Sequence, residues 1–472
     1  MFNALSPPAA EPARSSSLAG TLSNQALWDS LLAGGVALLL VCYNITTQSI
    51  VFGSQEGHWT YTYVQPFSVR VLMVWLLASA LAAGVLFAAK PAATRRDWPV
   101  LLVWMAIGLG LQAIVRSATP FSLESIFENV NANGFYTVTQ RFGAGSVLAD
   151  YDRLRASWPL HAQSNMPGKL MLLYALRGFS HEPGPLAWLT VAVSNLGAVF
   201  MYLFVVELFK DRRMAIYAAI LYLLVPAKLY FFPLMNTVTP VVVLVCAVLM
   251  LRWLRIHSIA SAASFGLALF GLVFFEPLPL VIGLLFALLV FRAIWIGQMS
   301  AERFLMQAGV VVAACLAAYA IVRVLSGFDA LSAFRQIGDD AVRFNQAADR
   351  PYSIWVWRNL PEFVFGAGVC QGILFCAALV DGFRGDVSWR ERLTRPIAVL
   401  CVGVAAVLLA TDVLGVNRGE VIRLWIFLAC FFQIPTAYVC ARLESRWALT
   451  AVMTLTLLQA TLGTAIVGFV GP

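Results

Sequence analysis

Apolar runs near the length of a bilayer crossing recur throughout this chain. They fall at 27–43, 67–89, 98–115, 185–208, 213–232, 236–254, 258–275, 277–296, 304–326, 361–381, 396–415, 421–441 and 446–470. A hydrocarbon core about 30 Å thick takes about 20 helical residues to cross. A backbone in lipid must satisfy its own hydrogen bonds, so such runs fold as helices. The runs at 213–232 and 236–254, like those at 258–275 and 277–296, are joined so tightly that either pair also reads as a broken helix and a hairpin. Charge agrees with this pattern. Of 472 residues, 12% are charged and 60% hydrophobic, against about 25% and about 45–50% in soluble domains. A soluble enzyme, a disordered chain and an ordinary nucleic-acid binder are thereby excluded. The expected fold is an all-α polytopic membrane protein with about 11–13 transmembrane helices. Residues 26–472 form one transmembrane domain, and the Ser-, Ala- and Pro-rich stretch 1–25 reads as a disordered cytoplasmic tail.

The net charge of +8 sits largely in short connections. Those at 90–97 (Lys90, Arg95, Arg96), 210–213 (Lys210, Arg212, Arg213), 252–257 (Arg252, Arg255), 384–395 (Arg384, Arg390, Arg392, Arg395) and 442–446 (Arg442, Arg446) share one side. By the positive-inside rule that side is the cytoplasm, with the N-terminus on it. The opposite side carries the 44–66 loop and the two longest loops, 116–184 and 327–360, so the chemistry is expected to be extracytoplasmic. The expected location is a bacterial inner or plasma membrane. The eight cysteines lie almost all in apolar runs and form no CxxC, so zinc and redox motifs are absent. No cofactor is implied, and no metal motif is legible.

Loop 116–184 holds polar content that a scaffold does not need. Glu124 and Glu128 come first, then Asn131, Asn133, Tyr136 and Arg141. Asp150 and Asp152 beside Arg153 and Arg155 read as a charged loop face. Near the end, HAQSNMPGK spans His161 to Lys169 and includes Asn165. It runs into LMLLYAL, too short to cross. That stretch suits a helix lying at the interface or dipping in. Pro167 is expected in its first turn, where a missing N–H costs nothing, with Lys169 pointing to the outer headgroup level.

The order of an acidic residue, an aromatic-containing helix, then His161, Asn165, Pro167, Gly168 and Lys169 leading an apolar helix resembles the large outer loop of lipid-dependent membrane glycosyltransferases of the GT-C class. The protein O-mannosyltransferase and aminoarabinose-transferase branches are the nearest likeness. It covers about 60 residues of loop and the many-span architecture. Three spans precede the loop here where the family has one, and no Asp-Glu pair is present. The resemblance implies sugar transfer from a polyprenyl-phosphate donor to an acceptor on the outer side, with inversion.

Such chemistry needs a cation for the leaving phosphate. It also needs a carboxylate to take the acceptor hydroxyl's proton, and a groove for the prenyl chain. Glu124 or Glu128 is the expected base. His161, Lys169 and Arg141 are expected to face the phosphate, with Asn133, Tyr136 and Asn165 around the substrate. A second cluster lies in TDVLGVNRGEVIRLWIFL, Thr411 to Leu428. Arg418 and Arg423 are expected on the phosphate, with Glu420 orienting Arg423 from three residues away. Glu276 is a third polar intrusion. The 335–350 run reads as a solvated amphipathic helix, with capping of the acceptor groove as the alternative. The expected partners are the lipid-linked donor, an unidentified acceptor and membrane lipids, with no nucleic acid. The rival reading is a transporter or flippase of a lipid-linked or anionic solute. It wants charges near the bilayer midplane, whereas this chain keeps most of them at span edges.

Overall fold

Several apolar runs begin where a polar side chain can accept a free helix-start N–H. Ser23 caps Asn24–Thr46, Asp211 caps Arg212–Leu223, Ser258 caps Ile259–Phe275 and Ser300 caps Ala301–Ser326. A computed structural model describes residues 21–88, 97–385 and 388–471. Residues 1–20 of the expected tail and the basic Lys90, Arg95 and Arg96 lie outside the described residues. Residues 21–25 lie inside and are held in place. The backbone N–H groups of Thr21 and Leu22 donate to Asp381 Oδ1 at 2.7 and 2.6 Å.

Among the described residues, strand structure is confined to a short hairpin, Gly53–Ser54 with Trp59–Thr60, and a bridge between Tyr63 and Val467. The rest is helix and turn. Among the described residues, ten helices are long and apolar enough to cross a membrane. A further pair, Tyr352–Ala367 and Val369–Phe383, passes the same test together but bends by 98°. The straight crossing expected at 361–381 is therefore broken. Gly368 sits at the break with φ +115°, a backbone conformation that favours glycine.

Two shorter apolar helices, Ile259–Phe275 and Ile426–Arg442, account for the remaining runs. Both run between the same two ends of the bundle. Next to the first, Glu276 meets Lys169 at one end and the His257 carbonyl meets Gln307 at the other. Beside the second, Arg423 meets His161 and Arg442 meets Asp381. One end thus collects the basic connections, including Arg212 on Asp97 and Arg255 on Glu207. The other collects the long loops.

The bundle has a clear centre and edge. The 212–231 segment is 94% buried, whereas Ala301–Ser326 is 6% buried and turns its apolar side chains outward, as suits lipid contact. At the loop end, residues 116–184 fold into short helices around Phe127, Phe135, Tyr151, Trp158, Met166 and Leu170. Gly168–Arg177 is the short apolar helix expected there; it buries Leu170, Leu173 and Leu176. Helix Ala330–Ala347 covers part of this cluster. Its Asp340 takes the buried Arg155.

At the basic end, Asp381 is fully buried and accepts from Tyr438, Arg442 and the Thr21 and Leu22 backbone. Hydrogen bonds to a charged group contribute about 1.5–3 kcal/mol each. Asp381→Asn should therefore lower stability by about 2 kcal/mol, read as a reduced thermal midpoint in detergent. An unchanged midpoint would show that this staple is not needed.

Candidate functional site

A lysine placed beyond the reach of water must find an anion. Lys169 is fully buried. Its Nζ lies 2.8 Å from Glu276 Oε2 and donates to Asn165 Oδ1 at 2.8 Å. Glu276 also accepts from the Thr239 hydroxyl. Gly168 makes the approach possible, since a Cβ there would stand 2.5 Å from the Phe274 carbonyl oxygen. Lys169 therefore points into the protein and not outward to lipid headgroups. Close packing of its helix on Ile259–Phe275 turns it inward. Burial pushes its ammonium below the ordinary value, and Glu276 opposes that shift.

Four residues before Lys169, Asn165 donates to the His161 carbonyl at 2.9 Å, which sets the preceding turn. There Arg423 Nη1 donates to His161 Nε2 at 2.8 Å. Arginine has no acceptor, so Nε2 contributes its lone pair and the ring proton lies on Nδ1. The Arg423 guanidinium, with burial second, lowers the imidazole from 6.5 to about 3. His161 is thus neutral, with its basic nitrogen already engaged. It positions Arg423 and does not stand as a free base.

Arg423 is held from its other side by Glu420, which also pairs with Arg350 at 3.1 Å. Burial alone would raise the Glu420 carboxyl. Arg423 and Arg350 more than offset that and hold it below the ordinary carboxylate range. The backbone aims this carboxylate. Gly419 and Glu420 both take left-handed φ values, +83° and +59°. That conformation is uncommon for a glutamate and persists only where surroundings enforce it. Asn359 enforces it by accepting from the Gly419 N–H at 3.1 Å and donating to the Asn417 carbonyl at 3.1 Å.

Beside Arg423 and Glu420 opens a cavity of about 220 Å³, lined also by Trp59, Tyr61, Phe231 and Phe469. Trp59 lies 5.2 Å from the Arg350 guanidinium, across its ring face. The Tyr61 hydroxyl is buried; desolvation, then Glu362 and Glu420, raises it well above its usual value.

The expected residues divide into two groups. His161, Asn165, Lys169, Glu420 and Arg423 come together. Arg418 joins as a brace: its Nη1 donates to the Arg350 carbonyl at 2.9 Å, and Arg350 donates back to the Arg418 carbonyl at 2.9 Å. The other residues stand apart. Glu124 is exposed and lines a different cavity with Arg116 and Trp188, and Glu128 is exposed on the same short helix. Neither is among the leading charges acting on His161. Tyr136 faces the Arg177 and Glu128 side of the loop. Asn133 is buried with its amide on the Phe127 carbonyl, and Arg141 is exposed.

Sequence reasoning placed Arg350 in a run read mainly as a solvated helix, yet it is 6% exposed and pairs with Glu420. The same reasoning passed over the hairpin residues Trp59 and Tyr61, and Glu362, buried near Gly53, Glu420 and Arg350. The only sequence signal for Glu362 was a carboxylate inside an apolar run. Compared with family models and with curated proteins, the chain matches none.

Two outcomes test this geometry. Lys169→Met should cost about 3–5 kcal/mol by leaving Glu276 buried and unpaired. Combining it with Glu276→Gln should restore most of that loss, and strictly additive losses would show that the two side chains do not act as a pair. The second outcome is a pH dependence. The unfolded chain protonates His161 below about pH 6.5, whereas the folded imidazole resists until about 3. Stability should therefore fall as pH drops through that window. His161→Asn should flatten the fall, measured as the thermal midpoint against pH.

Proposed function

We propose that this chain is an integral-membrane glycosyltransferase. In this reading it moves a sugar from a polyprenyl-phosphate donor to an acceptor on the extracytoplasmic side. One observation carries it: Arg423, held between His161 and Glu420, borders an aromatic-lined cavity at the loop end of the bundle. An anchored guanidinium at such a cavity suits the oxygens of a departing phosphate, and the Trp, Tyr and Phe rings suit the apolar face of a sugar. The basic connections at the opposite end support an extracytoplasmic site.

The proposed step is a single displacement. The acceptor oxygen attacks the anomeric carbon, the carbon–oxygen bond to phosphate breaks, and configuration inverts. The phosphate leaves with the donor's former oxygen and its charge on Arg423. As the phosphate engages Arg423, Glu420 loses one of the two cations that hold its proton affinity down. Its carboxylate can then take the acceptor hydroxyl's proton. Glu420 thus replaces Glu124 and Glu128 as the proposed base, because Glu124 lines another cavity and Glu128 is exposed on the same short helix.

A second reading, transport of a lipid-linked or anionic solute, draws on the 98° break at Gly368 and on Lys228, fully buried in the 212–231 segment over the Tyr222 ring. Broken helices and intramembrane cations are frequent in transporters.

The deciding experiment uses the purified full chain in nanodiscs with radiolabelled polyprenyl-phosphate sugars and extracted envelope acceptors. Wild type should release polyprenyl phosphate. Arg423→Gln should lower turnover on the order of 10²–10³-fold, and Glu420→Gln should remove the acidic limb of the pH–rate profile. Absence of transfer with every donor, alongside solute flux in liposomes, would replace the enzyme by the transporter.

A further inference from the structure

We infer that a second cavity at the loop end, built under Arg116, binds the phosphodiester headgroup of a membrane lipid. This cavity measures about 290 Å³ and shares no lining residue with the one beside Arg423. Arg116 ends the crossing helix Trp98–Arg116 and is 7% exposed. Its Nε has no hydrogen-bond partner, and Nη2 reaches only the Phe121 carbonyl, at 3.4 Å. Among the described residues no carboxylate pairs with it. A buried guanidinium with five donors and one long bond is short of an anion.

Capping of its own helix does not account for it. The carbonyls just beyond Arg116 are already taken, Ser117 by Arg70 at 2.5 Å and Ala118 by Gln65 at 2.9 Å. Arg70 instead brings a second cation to the same turn.

Two features choose the ligand. Trp188, on the crossing helix segment 183–209, lines the cavity and is 39% exposed, so an outward-facing aromatic of a crossing helix borders it. Tryptophan at that position suits the headgroup level. Glu124 lines the same cavity and places a negative charge near any occupant. A dianionic phosphomonoester is disfavoured there, whereas a singly charged phosphodiester keeps the bidentate arginine contact with less repulsion.

The test is native mass spectrometry of the full chain in detergent, titrated with dioleoylphosphatidylglycerol. Separate arms use sn-glycerol 3-phosphate and inorganic phosphate. Wild type should retain one phosphatidylglycerol and neither soluble phosphate. Arg116→Gln should weaken lipid retention on the order of tenfold. Gly184→Leu should do the same by filling the cavity, since Gly184 lines it without touching the guanidinium, and it decides the matter where Arg116→Gln does not fold. Glu124→Gln should bind the lipid roughly threefold more tightly, because a like charge is removed. Undiminished lipid in both Arg116→Gln and Gly184→Leu would overturn the site. Retention of soluble phosphate in place of lipid would overturn the lipid assignment. A loss of folded protein in Glu124→Gln matching that in Arg116→Gln would make Glu124 the counterion and overturn the ligand.

Discussion

The fully buried Lys169 organises the loop end of this protein. An ammonium excluded from water is tolerated only with a carboxylate and further acceptors close by. Glu276 supplies the first and Asn165 the second. Meeting that demand draws the 160–177 segment onto the end of Ile259–Phe275, and Gly168 lets the two backbones approach. The consequence extends one helical turn back. Asn165, already bonded to Lys169, fixes the His161 carbonyl, and the His161 ring then stands against Arg423. A local charge-pairing requirement is thereby propagated to the arginine at the cavity.

The second constraint is strain, and it acts from the other side. Glu420 sits in a left-handed conformation next to a left-handed Gly419, and a Cβ at Gly419 would press on the Trp355 ring at 2.9 Å. Asn359 and the surrounding carbonyls hold this turn in place. A carboxylate on an ordinary helix start would lie along one direction and meet one arginine. Here it faces both Arg350 and Arg423. The 327–360 loop, which supplies Arg350, is thus tied to the 411–425 segment as firmly as the 116–184 loop is. Mutual bonds between Arg350 and Arg418 reinforce the link.

This division explains what was legible in the sequence. Membrane crossings show themselves because lipid forbids most alternatives, so each apolar run became helix, and the exception at 361–381 turned on one glycine whose φ leaves little trace in composition. Glu420 and Arg423 stood out because charge at a span's edge is costly unless paired, and His161 and Lys169 because they lie in the polar segment that leads a short apolar helix. The partners were harder to see. Arg350 follows a helix that reads as amphipathic and mostly solvated, and the turn at Asp349, with φ +46°, precedes its pairing with Glu420. Trp59 comes from a two-residue strand, and Tyr61 directly follows it, with no periodicity to read. Glu124 and Glu128, the converse case, stand away from the Arg423 cavity. A carboxylate on a short exposed helix looks the same in sequence whether it meets a substrate or water.

The two cavities also differ in how their arginines are prepared, and that difference bears on what each can do. Arg423 already has a carboxylate and an imidazole, so an incoming phosphate must compete with Glu420. Competition of this kind makes binding weaker than an open guanidinium would give. It couples anion arrival to release of a carboxylate, and that coupling links departure of one group to deprotonation of another. Arg116 lacks such a counterion, so an anion there relieves a standing electrostatic deficit and displaces nothing. Sites of the first kind suit turnover, in which the ligand must leave. Sites of the second kind suit occupancy. The separation of Glu124 from the Arg423 cavity fits that division, since in the proposed lipid site its charge would bear on which anion binds beside Arg116.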